Sequence, residues 1–171
     1  MLLALILGLV TPDVVPVTHR VTGLYAPERE ADLREAVKGM SGVELVRVDL
    51  ERGEAVFAYD PAVLFKGVKE KDRLQRFDQL LRQASRHTFG ARPPLAVPWE
   101  KLVTVEIPVT GLDCPGCDLA AYESISKIDG VEQATARFRE GRVTARIDPD
   151  RTSREALVEA LKKRRVGVKA P

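Results

Sequence analysis

The sequence is poor in the residues that staple a fold or mark a nucleic-acid surface. Its 171 residues include two cysteines, and aromatic residues make up 5%. Because both cysteines fall within one four-residue segment, no pair is left to join distant parts of the chain, and the core must hold without such disulfides. The formal net charge is only +2. Since basic residues are interspersed with acidic ones and aromatic residues are scarce, we expect no nucleic-acid binding.

Long hydrophobic runs are also lacking. The N-terminal run MLLALILGLV, residues 1–10, is far too short to span a bilayer. It matches the apolar part of a secretory signal, although no Lys or Arg precedes it and no Ala-x-Ala cleavage site follows. We interpret residues 1–16 as a signal or tether, with a disordered tail or a mistaken start as alternatives. An active signal predicts a periplasmic or exported protein, and otherwise a cytoplasmic one, with membrane contact only if the segment is retained.

The chain contains an internal repeat. Residues 21–62 and 109–150 align without gaps and are identical at 12 of 42 positions. The repeat opens as VTGLYAPER in the first copy and as VTGLDCPGC in the second. Glycine and proline recur at matching places, which indicates the same turns in both copies. Two copies of one fold are therefore the expected architecture.

The second copy predicts the element order βαββαβ. Alternating apolar residues indicate a strand at 103–109, helical spacing indicates a helix at 118–128, and alternation on both sides of Gly141 indicates a hairpin. TSRE at 152–155 matches a capping box, in which the first and last residues satisfy each other's amides at the start of a helix. A short last strand follows. The fold class is α+β: a ferredoxin-like sandwich of a four-stranded antiparallel sheet with two helices on one face, present twice.

The first copy follows the same order with an insertion at residues 63–72. The tract RPPLAVP at residues 92–98 is proline-rich and indicates a stiff linker. We therefore predict a first domain at 17–92, a linker at 93–100, and a second domain at 101–171 that folds on its own.

Three single residues receive structural interpretations. Trp99 follows the proline tract, and we expect its large ring to pack between the two domains rather than to bind a ligand. His19 is expected to precede the first strand. We interpret His19 and His87 as solvated surface residues, which is the commoner role of a lone histidine.

Cys114 and Cys117 form a CxxC motif between the first strand and the first helix of the second copy. A pair of soft thiolates suits Cu(I), Zn(II), Cd(II) or Hg(II). The two intervening residues let both sulfurs converge on one ion, and the helix start favours the thiolate form of Cys117. Pro115 suits the first helical turn, and Gly116 allows a close backbone approach. Because two ligands leave the coordination open, the motif fits exchange of a metal better than a closed structural zinc site.

The second copy resembles the heavy-metal-associated domain family over residues 101–169. The resemblance lies in GLDCPGC between strand and helix, GVE before the hairpin, and DP before the last helix. The family includes small copper chaperones, periplasmic mercury-binding proteins and N-terminal modules of metal-transporting ATPases. It implies one bound soft metal ion, a role in metal transfer, trafficking or detoxification, and a metal-transporting ATPase or another metal-binding protein as partner. The first copy keeps the frame but carries Ala26 and Arg29 in place of the cysteines.

Four further residues belong to the predicted site or its surroundings. Leu112 stands where the family usually has Met, and its side chain is expected to pack inward. Asp113 is a candidate additional ligand, because a hard carboxylate fits a divalent ion better than Cu(I), and an acidic residue there resembles zinc-, cadmium- and lead-handling members. Arg164 and Arg165 end the last helix, near the cysteine loop in this fold. They would offset the charge of a bis-thiolate complex or steer an acidic partner, with plain helix capping as the alternative.

Other functions remain open at this point. A CxxC pair also occurs in thiol redox proteins and in zinc knuckles, although His19 and His87 are poorly placed to complete a knuckle. A measured redox potential separates a dithiol oxidant from a metal carrier. The first copy is either a docking or regulatory module or a duplicate that only packs, and an adaptor without metal is the rival from another class. We expect no enzyme, since the sequence shows no Ser/His/Asp set, paired carboxylates or phosphate-binding loop.

Overall fold

The computed structural model describes residues 13–111 and 114–169, except for the side chains of Pro115 and Phe138. Of the proposed signal or tether at residues 1–16, residues 1–12 lie outside these residues, as do Leu112 and Asp113. The strands are β1 Val15–Thr22, β2 Val43–Asp49, β3 Glu54–Tyr59, β4 Gly90–Arg92, β5 Val103–Thr110, β6 Val131–Arg137, β7 Arg142–Ile147 and β8 Gly167–Val168. The α-helices are α1 Arg29–Lys38, α2 Pro61–Leu64, α3 Arg73–Ala84, α4 Pro115–Ser126 and α5 Arg154–Lys163. Short 3-10 turns cover Glu70–Asp72, Trp99–Lys101 and Phe138–Glu140.

Each copy forms one four-stranded antiparallel sheet. The strand orders are β2-β3-β1-β4 in the first copy and β6-β7-β5-β8 in the second. Corresponding strands pair in the same way, with Val17 opposite Phe57 in the first sheet and Val105 opposite Ala145 in the second. These sheets confirm the predicted tandem of ferredoxin-like α+β sandwiches. The first strand begins at Val15, two residues before the domain start that we expected.

Two hydrophobic cores follow from the alternation of the strands. In the first copy the fully buried side chains include Phe57 from β3 and Phe77 from α3. In the second copy they include Ile107 from β5 and Ile125 from α4. Each strand has one face toward the helices, and apolar residues at every second position fill that face. Within the described residues, none of the helices has the length and apolar character needed to cross a bilayer.

The helix starts of the second copy agree with the sequence expectation in one case and differ in the other. Helix α4 begins at Pro115, as expected of a proline that suits the first helical turn, three residues before the apolar spacing from Asp118. Helix α5 has Ser153 as its N-cap, and no side-chain bond caps it. The predicted capping box is therefore wrong: the Thr152 amide donates to the Asp148 carbonyl at 3.1 Å and belongs to the preceding turn. The hydrogen bond from Ser153 instead lowers the pKa of the Glu155 carboxyl.

The prediction for His19 is also wrong. His19 lies inside β1, and its ring stacks on Phe77 with the centroids 4.1 Å apart. Its Nε2 atom lies 2.8 Å from the Tyr59 hydroxyl. Burial lowers the pKa of this imidazole from 6.5 to about 4, so the ring is neutral at physiological pH. His87, by contrast, is exposed as predicted.

The two copies pack directly against each other. A buried ion pair joins Arg20 of β1 to Glu132 of β6, with Nη2 and Oε2 2.8 Å apart. Beside it, the Gln133 amide nitrogen donates to the carbonyl oxygens of Leu24 and Leu50 at 3.2 and 3.0 Å. These bonds tie the edge strand of the second sheet to two loops of the first copy, so the tandem carries a buried polar interface.

Trp99 confirms its predicted place between the copies. The guanidinium of Arg52, from the first copy, lies 5.1 Å from the ring centroid, and that of Arg146, from the second, lies 5.0 Å from it. The proline tract also makes contact, because the Arg20 guanidinium donates to the Pro93 carbonyl at 3.0 Å. The segment between the copies is therefore part of the interface.

Candidate metal centre

The cysteines occupy the start of α4. Cys114 is the N-cap residue, with extended backbone angles (φ −153°, ψ 157°), and Pro115 follows as the first helical residue. The Cys117 amide donates to the Cys114 carbonyl at 2.8 Å and also lies 3.2 Å from the Cys114 sulfur. Cys114 therefore satisfies an amide that would otherwise lack a partner at the helix start.

The two side chains differ in exposure. Cys114 is exposed, whereas Cys117 is half-buried and packs against the core of the second copy. The Cys114 thiol is therefore accessible from solvent, whereas the Cys117 thiol is held by its packing. Both lie at the positive end of the helix dipole, which favours thiolates. The structure confirms that Cys117 sits in the first turn of the helix. Gly116 between them is exposed, and a Cβ there would lie 3.8 Å from the Cys114 sulfur.

The loop that leads to the cysteines is pinned at its base. Gly111 has a φ of +80° and is exposed, so the chain turns there in a conformation that glycine adopts at little cost. The preceding strand is fixed because the Val109 amide donates to the Gly141 carbonyl at 2.8 Å.

Charged residues flank the start of α4 on the side of the β6–β7 turn. Asp118, in the first turn of the helix, is 4% exposed. It shares a cavity of about 310 Å³ with Arg137 and Arg139 of the turn and with Pro27 of the first copy. A carboxylate in this position suits the helix dipole.

Arg164 and Arg165 reach the same end of the sheet. Gly167 pairs with Thr110, so the segment that follows α5 and the cysteine loop leave the sheet side by side. Both arginine side chains are exposed. The backbone of Arg165 is left-handed, with φ +61°, and the following Val166 amide donates to the Leu161 carbonyl at 3.1 Å. This is a Schellman cap, which glycine usually occupies at the left-handed position.

The cysteine-free loop of the first copy has a different role. Ala26, which aligns with Cys114, is 6% exposed and lies in the hydrophobic core cluster of the second copy. Arg29, which aligns with Cys117, is the first residue of α1. Its guanidinium lies 5.3 Å from the ring centroid of Tyr25 and 5.1 Å from that of Phe89. The loop of the first copy therefore packs against the second copy with the positions at which the loop of the second copy carries its thiols.

Sequence reasoning missed the residues that join the first loop to α4. The Tyr25 and Tyr122 rings stack with centroids 5.0 Å apart, and the Tyr122 hydroxyl accepts from the Gly23 amide at 2.8 Å. A signal was present in the repeat alignment, where Tyr-Ala replaces Asp-Cys. An aromatic residue at the place of an aspartate indicates a more buried loop.

The donor set is sparse. In the part of the chain that the structure describes, no three His, Cys, Asp or Glu side chains group closely enough to hold a metal ion. A closed four-ligand zinc site is therefore not preformed around Cys114 and Cys117 within that part. The site therefore offers two thiols at the start of a helix, one of them exposed.

The heavy-metal-associated domain family matches residues 106–165. The mercuric transport protein periplasmic component of Pseudomonas fluorescens is 31% identical over 62 residues, which cover 36% of this chain and 68% of that protein. The chain belongs to the heavy-metal-associated domain family.

Other relatives extend over both copies. Copper-transporting ATPase 2 of Homo sapiens is 26% identical over 164 residues, which cover 86% of this chain and 11% of the ATPase. The chain therefore spans about a tenth of the length of that relative. The solution structure of the N-terminal soluble domains of Bacillus subtilis CopA is 20% identical, covers 93% of this chain and 95% of that one, and has a TM-score of 0.38.

Proposed function

We propose that the chain binds one soft metal ion through the thiolates of Cys114 and Cys117 and hands it to another metal-binding protein. The observation that carries this proposal is the arrangement at the start of α4, where an N-cap cysteine and a first-turn cysteine share the positive end of one helix. Thiolates are the ligands that soft ions prefer. The exposure of Cys114 leaves room for an incoming ligand during transfer.

The incomplete coordination of an ion by two thiolates favours transfer of the metal over its storage. A two-thiolate site satisfies an ion only in part, so a partner's thiolate can join the coordination before the first ligand leaves. A copper-transporting ATPase and a mercuric transport protein are among the relatives. A metal-transporting ATPase or a related carrier is accordingly the partner class that we propose, with Cu(I) and Hg(II) as the first ions to test.

The test is a titration of the reduced full-length protein with Cu(I), Zn(II) and Hg(II) in the presence of competing chelators. We expect one equivalent to bind tightly. Cys114→Ser and Cys117→Ser should each abolish tight binding, whereas Ser124→Ala, farther along the same helix, serves as a matched control and should bind normally. Retention of metal by the double serine variant at comparable affinity would refute the site.

The same experiment separates the rival functions. An adaptor without metal would bind none of the three ions above the level of the double serine variant. A thiol redox module would show a poised dithiol potential and would turn over substrate disulfides. A metal carrier should have no poised dithiol potential and should not turn over substrate disulfides.

Asp113 remains a proposed ligand for divalent ions. Asp113→Ala should weaken Zn(II) or Cd(II) binding clearly more than Cu(I) binding, because a carboxylate oxygen is a hard donor. X-ray absorption should show zinc–sulfur distances of about 2.3 Å together with oxygen donors at about 2.0–2.2 Å. Equal losses for both kinds of ion, or a shell of sulfur alone, would exclude Asp113 as a ligand. Arg164→Ala and Arg165→Ala test whether these cations stabilise the charged complex.

The proposed compartment depends on residues 1–16. Fusion of this segment to a reporter that is active only after export tests whether it acts as a signal, and the reporter without the segment is the control. Export would support a periplasmic metal carrier, whereas retention inside the cell would support a cytoplasmic one.

A further inference from the structure

We infer that the first copy positions the metal centre: its docking loop, residues 23–27, holds α4 in place, and metal binding and this contact strengthen each other. The inference rests on the proposed function, in which Cys114 and Cys117 hold the ion. It gives the cysteine-free copy a role within the same molecule. The argument starts from the contacts of the docking loop.

The docking loop contacts α4 through a stacked aromatic ring and a hydrogen bond. The Tyr25 ring stacks on Tyr122 with centroids 5.0 Å apart. The Tyr122 hydroxyl accepts a hydrogen bond from the buried amide of Gly23 at 2.8 Å. Tyr25 and Tyr122 are 7% and 8% exposed, so water competes little for either contact. Together they fix both the rotation and the height of α4 against the first copy.

The same loop also holds the edge strand beneath α4. The backbone carbonyl of Tyr25 accepts from the amide of Ala136, in β6, at 3.0 Å. Nearer the start of β6, the side chain of Glu132 bonds to Arg20 of the first copy. The side chain of Gln133 bonds to Leu24, also of the first copy. Helix and strand are thus tied to one partner, and neither can shift without breaking bonds that are shielded from water.

Helix α4 links this grip to the cysteines. Cys117 and Tyr122 lie five residues apart on one helix, a rise of about 7.5 Å. Cys114 is different, because it is the N-cap and has extended backbone angles, so its sulfur is placed at the junction between the loop and the helix. A displacement of α4 relative to β5 therefore changes the torsions of Cys114. The separation of the two sulfurs changes with them.

The sequence of the docking loop fits packing rather than ligation. Tyr25 and Ala26 take the places of Asp113 and Cys114 in the repeat, and both are buried. Arg29 takes the place of Cys117, and its guanidinium lies over the Tyr25 ring and bonds to Asp32. Each replacement supports the contact with α4.

The chain contains its own reporter of this interface. Trp99 is the single tryptophan, and its ring lies between Arg52 of the first copy and Arg146 of the second. A change in the relative position of the copies alters the two cations that face the indole. The fluorescence emission of Trp99 therefore reports on the interface between the copies without an added label.

The experiment compares Tyr25→Ala with Tyr25→Phe in the full-length protein. Tyr25→Phe keeps the stacked ring and should bind the ion like the wild type. Tyr25→Ala should weaken Cu(I) or Zn(II) binding, measured against a chelator, by about fivefold or more, the lower end of couplings between sites. Phe65→Ala is the matched control, because Phe65 is 5% exposed in the core of the first copy. It should lower stability with no change in metal affinity.

The reciprocal measurement uses the wild-type protein and does not depend on the folding of a variant. Since coupling is mutual, the metal should slow hydrogen exchange at the amides of Gly23 and Ala136 and should shift the emission of Trp99. Cys114→Ser should abolish both responses. The shift should also be lost in Tyr25→Ala at metal concentrations that saturate it.

The outcomes separate the inference from the proposed function. Absence of tight binding by the wild type would overturn both. Normal binding by Tyr25→Ala, or binding by the wild type without any response at Gly23, Ala136 and Trp99, would overturn only the positioning role. An equal loss of affinity in Phe65→Ala and Tyr25→Ala would also overturn it, because general destabilisation would then account for both.

Discussion

Replacement of Arg20 by methionine tests the buried ion pair that joins the two copies. Arg20 and Glu132 are 9% and 8% exposed, and their charged atoms lie 2.8 Å apart. The Arg20 guanidinium also donates to the carbonyls of Glu132 at 2.7 Å and of Pro93 at 3.0 Å. Methionine keeps much of the apolar stem but is shorter than arginine, and it removes the charge and all these donors. It therefore leaves the Glu132 carboxylate buried, with the Arg151 guanidinium 3.7 Å away and with Arg92 donating to the Glu132 carbonyl at 3.1 Å.

The magnitude follows from what remains after the change. Removal of one partner from a buried pair costs about 3–5 kcal/mol when the other charge stays buried. Here Arg151 remains near the carboxylate, and an interface can admit water more readily than a core, so we expect a loss of about 2–3 kcal/mol. That is a large share of the roughly 5–15 kcal/mol by which domains are stable. In Arg20→Met/Glu132→Gln no charge is left unpaired, and we expect the double variant to be more stable than Arg20→Met alone.

The assay is urea denaturation of the wild type, the two single variants and the double variant, analysed as a double-mutant cycle. Lys38→Met is the matched control, because Lys38 forms only a surface ion pair with Glu35 and should lose less than about 0.5 kcal/mol. A loss below about 0.5 kcal/mol in Arg20→Met would refute the reasoning. So would additive effects of the two single changes, since the pair would then contribute no coupling.

Three further changes test particular features. Gly23→Ala should cost about 3 kcal/mol or more in urea denaturation, because its Cβ would lie 2.4 Å from the Thr88 carbonyl at φ +90°; Gly111→Ala, whose Cβ would meet no atom of the described residues within 4 Å, should cost about 1 kcal/mol, and equal losses would contradict the clash. The pKa of His19 falls from 6.5 to about 4 on folding, so the unfolded state binds the extra proton and stability should drop by about 3 kcal/mol as the pH falls through this window. His19→Gln should lack that part of the pH dependence, and an unchanged profile would contradict it. Arg165→Gly should raise the melting temperature, since glycine relieves the left-handed backbone at φ +61° by about 1 kcal/mol, and a lower value would argue against strain there.

The sequence predicts the fold well because each sheet has one covered face. Val105 and Ile107 lie two residues apart and both point to the core, as alternation requires. Because the first copy repeats the second, the same order of strands and helices is predicted there, although its hydrophobic alternation is weaker. The position of Cys114 and Cys117 at a helix start was predictable for a similar reason, since the cap, the proline and both thiols lie within four consecutive residues.

Contacts between distant segments were not predictable in this way. The periodicity of β6 does not reveal that Glu132 and Gln133 are buried, because the atoms that cover them come from the first copy. His19 was misplaced for the same reason, since Phe77, on which its ring stacks, lies on a helix far along the chain. A pattern within one element reports its own faces. It does not report which other segment covers them.

The loss of cysteines from the first copy follows from how each loop satisfies its helix. In the second copy the Cys117 amide uses the carbonyl and the sulfur of Cys114. In the first copy the Arg29 amide uses the Ala26 carbonyl at 3.0 Å, so the backbone alone supplies the acceptor and the side chain at position 26 is left for packing.

Restoring the two cysteines should therefore not restore a metal site. In Ala26→Cys/Arg29→Cys the first thiol would replace a side chain that is 6% exposed within the core of the second copy. The change would also remove the guanidinium that lies over Tyr25 and Phe89. We expect the variant to bind one equivalent of metal, the same number that we propose for the wild type, and to be less stable in urea. Tight binding of a second equivalent would show that the docking loop leaves α4 readily, because a buried thiol cannot take up an ion from solution.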